Sequence, residues 1–208
     1  MTEMDLQMNN YTRIYLIRHG QVVNSHAGVY NGHNDIELSP EGIAQTIAIA
    51  EWFKDKSISA VWSSDLRRSL NGAKIIAAPH GLEVMSSNAL REINLGFWEG
   101  LTPDEIRSNY RDSWDRWLED PIRNRPPGGE TISEMQSRVI KELEVIFKKN
   151  TGEEVVLFTH AGVNRIIICH ALNLAIENWF RIQQDFCRVN IIDFYESSAL
   201  VRLINGLP

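Results

Sequence analysis

Two of the six histidines stand directly after short runs of β-forming residues. His19 follows the run at 13–17 in Arg18-His19-Gly20, and His160 follows Val155-Val156-Leu157-Phe158-Thr159. Ligands in open α/β sheets bind beyond the carboxyl ends of the strands, so both imidazoles fall where a site would form. Ser63-Ser64-Asp65-Leu66-Arg67-Arg68 carries two guanidinium groups to the same edge, and Leu90-Arg91-Glu92 carries a carboxylate there. Cations in the first turn of a helix oppose its partial positive charge, a conflict that an anionic ligand removes. Arg68 is read as facing such a ligand, and Arg67 as pairing with solvent or with Asp and Glu.

This set of groups suits phosphoryl transfer. A phosphate monoester hydrolyses so slowly in water that a catalyst must neutralise its equatorial oxygens and bring up an in-line nucleophile. Arg and His do the first, and a neutral imidazole nitrogen does the second. A carboxylic acid such as Glu92 can protonate the departing alkoxide. Metal chemistry is not indicated, because the chain has no HExxH, no carboxylate-rich triad and no GxxxxGK[ST] loop. Cys169 and Cys187 lack CxxC spacing and read as small core residues. No metal and no cofactor are expected.

The elements that must hold these groups show in the hydrophobic pattern. Residues 13–17 (RIYLI) form a buried strand opening onto the polar loop 20–35. Ser39-Pro40-Glu41 offers an N-cap with Pro at N1 for a helix carrying Ile43, Ile47, Ala50 and Phe53. A strand at 60–63 precedes a helix that starts near Asp65 and stops before Pro79, and a third strand follows at 82–85. Thr131-Ile132-Ser133-Glu134 is a capping box for a helix with Met135, Val139, Leu143 and Ile146. A strand at 154–158, a helix at 163–172 and two antiparallel strands at 188–195 and 199–204 complete the pattern. The expected fold is α/β: a three-layer sandwich with a mostly parallel central sheet and helices on both faces. A chain of 208 residues suits a single domain spanning 1–208.

Residues 93–129 differ in kind. They hold Phe97, Trp98, Trp114 and Trp117, five arginines (Arg107, Arg111, Arg116, Arg123 and Arg125) and the rigid exit Pro126-Pro127-Gly128-Gly129. This reads as a lid-like helical insertion over one end of the sheet, its arginines candidates for gripping the rest of a substrate. The alternative is a plain helical connection whose tryptophans fill core.

The chain has 21 Lys plus Arg against 27 Asp plus Glu, a formal charge of −6, so no diffuse basic surface holds nucleic acid by counterion release. Fifteen of the cations are Arg and six Lys. Arg grips phosphate or carboxylate through a planar fork, so the excess suggests local convergence in one pocket. No apolar run approaches the ~18 residues of a membrane span, and residues 1–10 are polar with no apolar leader core. A cytoplasmic protein without nucleic-acid or membrane partners is expected, and a homodimer is left open.

Leu16-Ile17-Arg18-His19-Gly20-Gln21 resembles the opening RHG signature of the histidine phosphatase superfamily, the group containing cofactor-dependent phosphoglycerate mutase. Further blocks follow in the family's order: Asn31-Gly32-His33-Asn34-Asp35 with Leu38-Ser39-Pro40-Glu41-Gly42, then Ser63-Ser64-Asp65-Leu66-Arg67-Arg68, then Leu90-Arg91-Glu92 with Gly96-Phe97-Trp98-Glu99-Gly100. Pro127-Gly128-Gly129-Glu130 and Thr159-His160-Ala161-Gly162-Val163 close the set. The resemblance implies that His19 is the phosphorylated nucleophile, that Arg18, Arg68 and His160 bind the phosphoryl group, and that Glu92 is the proton donor. It departs at two places. The Asn expected after RHG falls on Ser25, with Asn24 one place early, and the usual Thr of the second helix is Gly72. A peripheral phosphate contact is therefore assigned to Asn24 or Ser25.

The Leu95-to-Gly100 stretch looks like the phosphatase branch, and the tail 178–193 (NWFRIQQDFCRVNIID) resembles α-ribazole-5'-phosphate phosphatases of cobalamin nucleotide-loop assembly. The resemblance thus implies a phosphomonoesterase acting on a small phosphorylated metabolite. A broad phosphatase of sugar phosphates or nucleotides, a phosphoglycerate mutase and a non-catalytic phosphate-binding protein remain alternatives.

Overall fold

The computed structural model describes residues 11–207. Residues 1–10, read above as a polar stretch without a leader, lie outside the described residues, as does Pro208. Six strands form one sheet: β1 (Thr12–Arg18), β2 (Ala60–Ser63), β3 (Val84–Ser86), β4 (Glu154–Thr159), β5 (Val189–Phe194) and β6 (Ala199–Gly206), in the order β3-β2-β4-β1-β5-β6. The first four are parallel; β5 runs antiparallel to β1, and β6 antiparallel to β5. The sheet is therefore mostly parallel, with an antiparallel edge. The third strand is only three residues long and sits later than its apolar run suggested.

Helices cover both faces: α1 (Pro40–Phe53) and α2 (Arg67–Ala77) on one, α5 (Ile132–Lys149) and α6 (Ala161–Ala171) on the other, with α3 (Pro103–Asn109) and α4 (Arg111–Glu119) in the insertion. Side chains of adjacent strand residues point to opposite faces. Ile14, Leu16, Val155 and Leu157 accordingly join the core under α5 and α6, while Tyr15, Ile17, Val156 and Phe158 join the one under α1 and α2. A strand buried on both faces must be apolar throughout, which is why β1 and β4 read as continuous hydrophobic runs.

Local chemistry fixes the helix starts. Ser39 accepts the Gly42 N–H at 3.0 Å with Pro40 in the first turn of α1, and Thr131 and Glu134 form a reciprocal capping box on α5. A Cβ on Gly20 would stand 2.3 Å from Gly42 O, so the loop after β1 packs directly on the start of α1. Both cysteines are buried and free, and burial pushes the Cys187 thiol up to about 11. Among the described residues no helix is long and apolar enough to cross a membrane.

Candidate active site

β1 and β4 pair with Arg18 opposite Thr159, and the His19 N–H donates to Thr159 O at 2.9 Å. This bond extends the ladder one residue past the strands, so His19 and His160 emerge together. Their ring centroids are 5.1 Å apart, edge to face, with His160 fully buried and His19 6% exposed.

His19 Nδ1 lies 2.7 Å from Gly20 O. A carbonyl only accepts, so Nδ1 carries the proton and Nε2 the lone pair. Burial, reinforced by the charges of Arg68 and Arg18, holds this imidazole well below its ordinary pKa. The ring is neutral at physiological pH. His160 Nε2 pairs with Ser64 Oγ at 2.7 Å, and its Nδ1 is buried without a partner among the described residues. Burial, then Arg68, hold this ring well below the ordinary value too.

Arg68 turns inward from the first turn of α2, 2% exposed, its Nη1 donating to Asn34 O and its Nη2 to Gly32 O, each at 2.6 Å. Its neighbour Arg67 turns outward to Asp35 at 2.9 Å and Glu37 at 2.8 Å. Asp35 also accepts the Arg67 backbone N–H at 2.7 Å, so an acidic side chain caps a helix start that two cations would otherwise oppose.

Arg18 donates from Nη1 to Gln184 O at 2.7 Å and lies 3.9 Å from the Phe186 ring centroid. Its Nε is buried without a partner among the described residues. Gln184 is held in turn by buried Asn164 and Asn190, each 2.9 Å from Gln184 Oε1. Glu92 arrives from the segment after β3. Its Oε1 accepts the Ile93 N–H at 2.9 Å and its Oε2 the Gly162 N–H at 3.0 Å. The N-cap of α6, His160, makes no side-chain capping bond, so Glu92 caps that helix from elsewhere in the chain.

Arg18, His19, Arg68 and Glu92 open onto a cavity of about 350 Å³. Seven aromatic residues also line it: Tyr30, Trp98, Trp114, Trp117, Trp179, Phe180 and Phe186. One further cation, Arg165, lines it and anchors its Nε on Ile182 O at 2.8 Å. Among the described residues no group of three or more His, Cys, Asp or Glu is placed to hold a metal ion.

A family model for the histidine phosphatase superfamily (branch 1) matches residues 14–206. The chain belongs to that superfamily. This histidine phosphatase is a phosphoric monoester hydrolase of the phosphatase and mutase-like kind. It is 26% identical over 193 residues to phosphoserine phosphatase 1 of Hydrogenobacter thermophilus, covering 93% of this chain and 92% of that one. It is 34% identical over 167 residues to phosphoglycerate mutase-like protein 4 of Arabidopsis thaliana, covering 79% and 73%. Its fold matches the crystal structure of α-ribazole phosphatase from Shigella flexneri with a TM-score of 0.87 at 24% identity, over 93% of this chain and 96% of that one. A mycobacterial glucosyl-3-phosphoglycerate phosphatase gives 0.84 at 26% identity, over 95% and 100%.

Several placements in this histidine phosphatase differ from the sequence reading. None of the five insertion arginines lines the cavity; Arg111, Arg123 and Arg125 form surface ion pairs with Asp115, Asp120 and Glu134. Arg165, from α6, lines the cavity instead. Asn24 pairs reciprocally with Asn31 at 2.8 and 3.0 Å, and Ser25 Oγ both donates to Val22 O at 2.6 Å and accepts the Val22 N–H at 3.0 Å. Ser25 and Asn31 line the cavity, Asn24 does not, and the polar groups of Asn24 and Ser25 are engaged locally. The insertion's tryptophans serve both readings, since Trp98 and Trp114 belong to the core and also wall the cavity.

Proposed function

We propose that this enzyme is a metal-independent phosphomonoesterase working through a phosphohistidine. The observation that carries the reading is the neutral His19 ring, its Nδ1 proton committed to Gly20 O and its Nε2 left with the lone pair, in a cavity that Arg18 and Arg68 also line. Nε2 attacks phosphorus in line, the ester P–O bond breaks with its electron pair on the alcohol oxygen, and the Glu92 carboxyl gives that oxygen its proton. Arg18 and Arg68 neutralise the phosphoryl oxygens and His160 adds a hydrogen bond to them; the unpartnered Arg18 Nε and His160 Nδ1 are the kind of orphaned buried polar atoms that mark functional sites. Water then attacks the phosphohistidine, Glu92 takes its proton, and phosphate departs. Asn24 and Ser25 reach a phosphate only by exchanging their local bonds.

The substrate is a small phosphorylated metabolite, and α-ribazole 5'-phosphate in cobalamin nucleotide-loop assembly is the reading favoured here. The tail that suggested it supplies Trp179, Phe180 and Phe186 to the cavity, walls suited to a flat, ring-bearing alcohol. Phosphoserine fits less well, because Glu92 is the one acidic residue in the lining among the described residues and an ammonium needs an acceptor of its own. The chain is read as one cytoplasmic domain with 93–129 as a lid-like insertion.

A single-turnover reaction with radiolabelled substrate, quenched in base, should trap acid-labile phosphate on the wild type and none on His19→Ala, with turnover unchanged by EDTA. Absence of label, or loss of activity on chelation, overturns the reading. Isomerisation of primed 3-phosphoglycerate faster than phosphate release would make the enzyme a mutase.

A further inference from the structure

We propose that Arg138 is the positioning residue for Glu92, acting through an ion pair with Glu130; the inference rests on Glu92 being the proton donor. Arg138 lies on α5, outside the cavity lining. Its Nη1 donates to Ala89 O and Arg91 O at 2.8 Å each, and its Nη2 to Glu92 O at 2.9 Å. Nε and Nη2 hold the two oxygens of Glu130 at 3.0 and 2.6 Å. A guanidinium has five N–H groups, and here each has a partner.

Glu130 continues the clamp. Its carboxylate accepts the Asn94 N–H at 2.8 Å, and its own N–H donates to Asn94 O at 3.0 Å. The backbone on both sides of Glu92 is thereby hung on one charge pair, whose side chains are 22% and 16% exposed. That stretch needs outside support, because residues 91–95 belong to no helix or strand and their carbonyls have no ladder to join. A planar fork can serve three carbonyls and a carboxylate together; a lysine ammonium, a compact point charge with three donors, cannot. Asn94 is the second residue of the insertion and Glu130 follows its exit, so the same clamp ties both ends of the insertion to Glu92.

Misplacing a reacting group by about 1 Å costs on the order of a hundredfold in rate. The loss should be confined to reactions that need the proton. The test compares kcat/KM for 4-nitrophenyl phosphate, whose leaving group departs without protonation, with kcat/KM for an alkyl phosphate, whose leaving group requires it. This ratio ends with alcohol release, so hydrolysis of the shared phosphoenzyme does not mask it. Glu92→Gln is expected to lower the alkyl value by roughly a hundredfold or more, Arg138→Met and Arg138→Lys by roughly tenfold to a hundredfold, and each of the three to lower the aryl value by less than about threefold. Glu130→Gln, which keeps side-chain shape, gives the same pattern if Arg138→Met melts too low to assay. Equal losses on both substrates in the Arg138 and Glu130 variants, with Glu92→Gln still discriminating, overturn the clamp. A Glu92→Gln variant that fails to discriminate overturns the proton-donor reading and the clamp's role with it.

Discussion

Glu92 Oε2 accepts the Gly162 N–H at 3.0 Å, and a Cβ on Gly162 would stand 2.2 Å from Glu92 Oε1. The carboxylate and the start of α6 fit against each other only because position 162 has no side chain. Ala is favoured over Gly within a helix by about 1 kcal/mol. Gly162→Ala is therefore expected to leave the melting temperature little changed while displacing Glu92, whose side-chain end can move. A fall of at least about tenfold in kcat/KM for an alkyl phosphate is expected. Full activity in a folded variant would show that the position of Glu92 does not matter to the reaction.

The two buried histidines make stability depend on pH in a definite direction. Both folded-state pKa values are held well below 6.5, so between pH 7.5 and 5.5 the unfolded chain binds protons there that the folded chain does not. Stability contributed by the neutral rings is fully present above the unfolded value of about 6.5 and is lost as pH falls below it. Each ring adds a slope approaching ~1.4 kcal/mol per pH unit once well below that value. Chemical denaturation across this range should show stability falling toward acid, with a shallower slope in His19→Gln. An unchanged slope in that variant would mean that His19 is not kept neutral by the fold.

Arg68 holds Gly32 O and Asn34 O at 2.6 Å each while facing the cavity, so it both shapes the loop and serves the ligand. Lys in its place keeps the charge but cannot reach two carbonyls and a phosphoryl oxygen with one ammonium. Arg68→Lys is expected to lose on the order of 2 kcal/mol of transition-state stabilisation, about thirtyfold in kcat/KM, through charge-assisted bonds it no longer makes. Wild-type kinetics for Arg68→Lys would reduce this residue to a point charge.

The sequence exposes some of this design and conceals the rest for identifiable reasons. His19, His160 and Arg68 follow strand runs whose hydrophobicity is continuous, and the parallel register of β1 and β4 turns that placement into proximity. Gln184 and Phe186 were missed because they precede a strand. Only the antiparallel direction of β5 carries a strand's beginning to the same edge. Arg165 had a usable signal, five positions after His160 on the helix that follows it, whereas the insertion arginines were more conspicuous and point to solvent. Arg138 had none, because three of its partners are main-chain carbonyls that every residue type carries.

Gly72 shows how a departure from the family pattern is absorbed by packing. A Cβ there would stand 2.3 Å from Phe158 Cε1 and 2.7 Å from its Cζ, and Phe158 is fully buried on β4, so the ring occupies the space a side chain at 72 would take. Restoring the family's residue with Gly72→Thr overpacks this contact, and a loss of about 1–3 kcal/mol is expected. In a chain of this length that is a fall of roughly 2–12 °C in melting temperature. Phe158→Leu alone also destabilises, by leaving a void. The double variant should lose less than the sum of the two, with a coupling of about 1 kcal/mol. The contact also bears on the site, because Arg68 lies four residues before Gly72 on one face of α2. Pushing α2 off the sheet moves that guanidinium, so Gly72→Thr should lower kcat/KM below its melting range and Phe158→Leu should restore part of it. Strict additivity in both stability and kinetics would mean that positions 72 and 158 do not share the space the structure gives them.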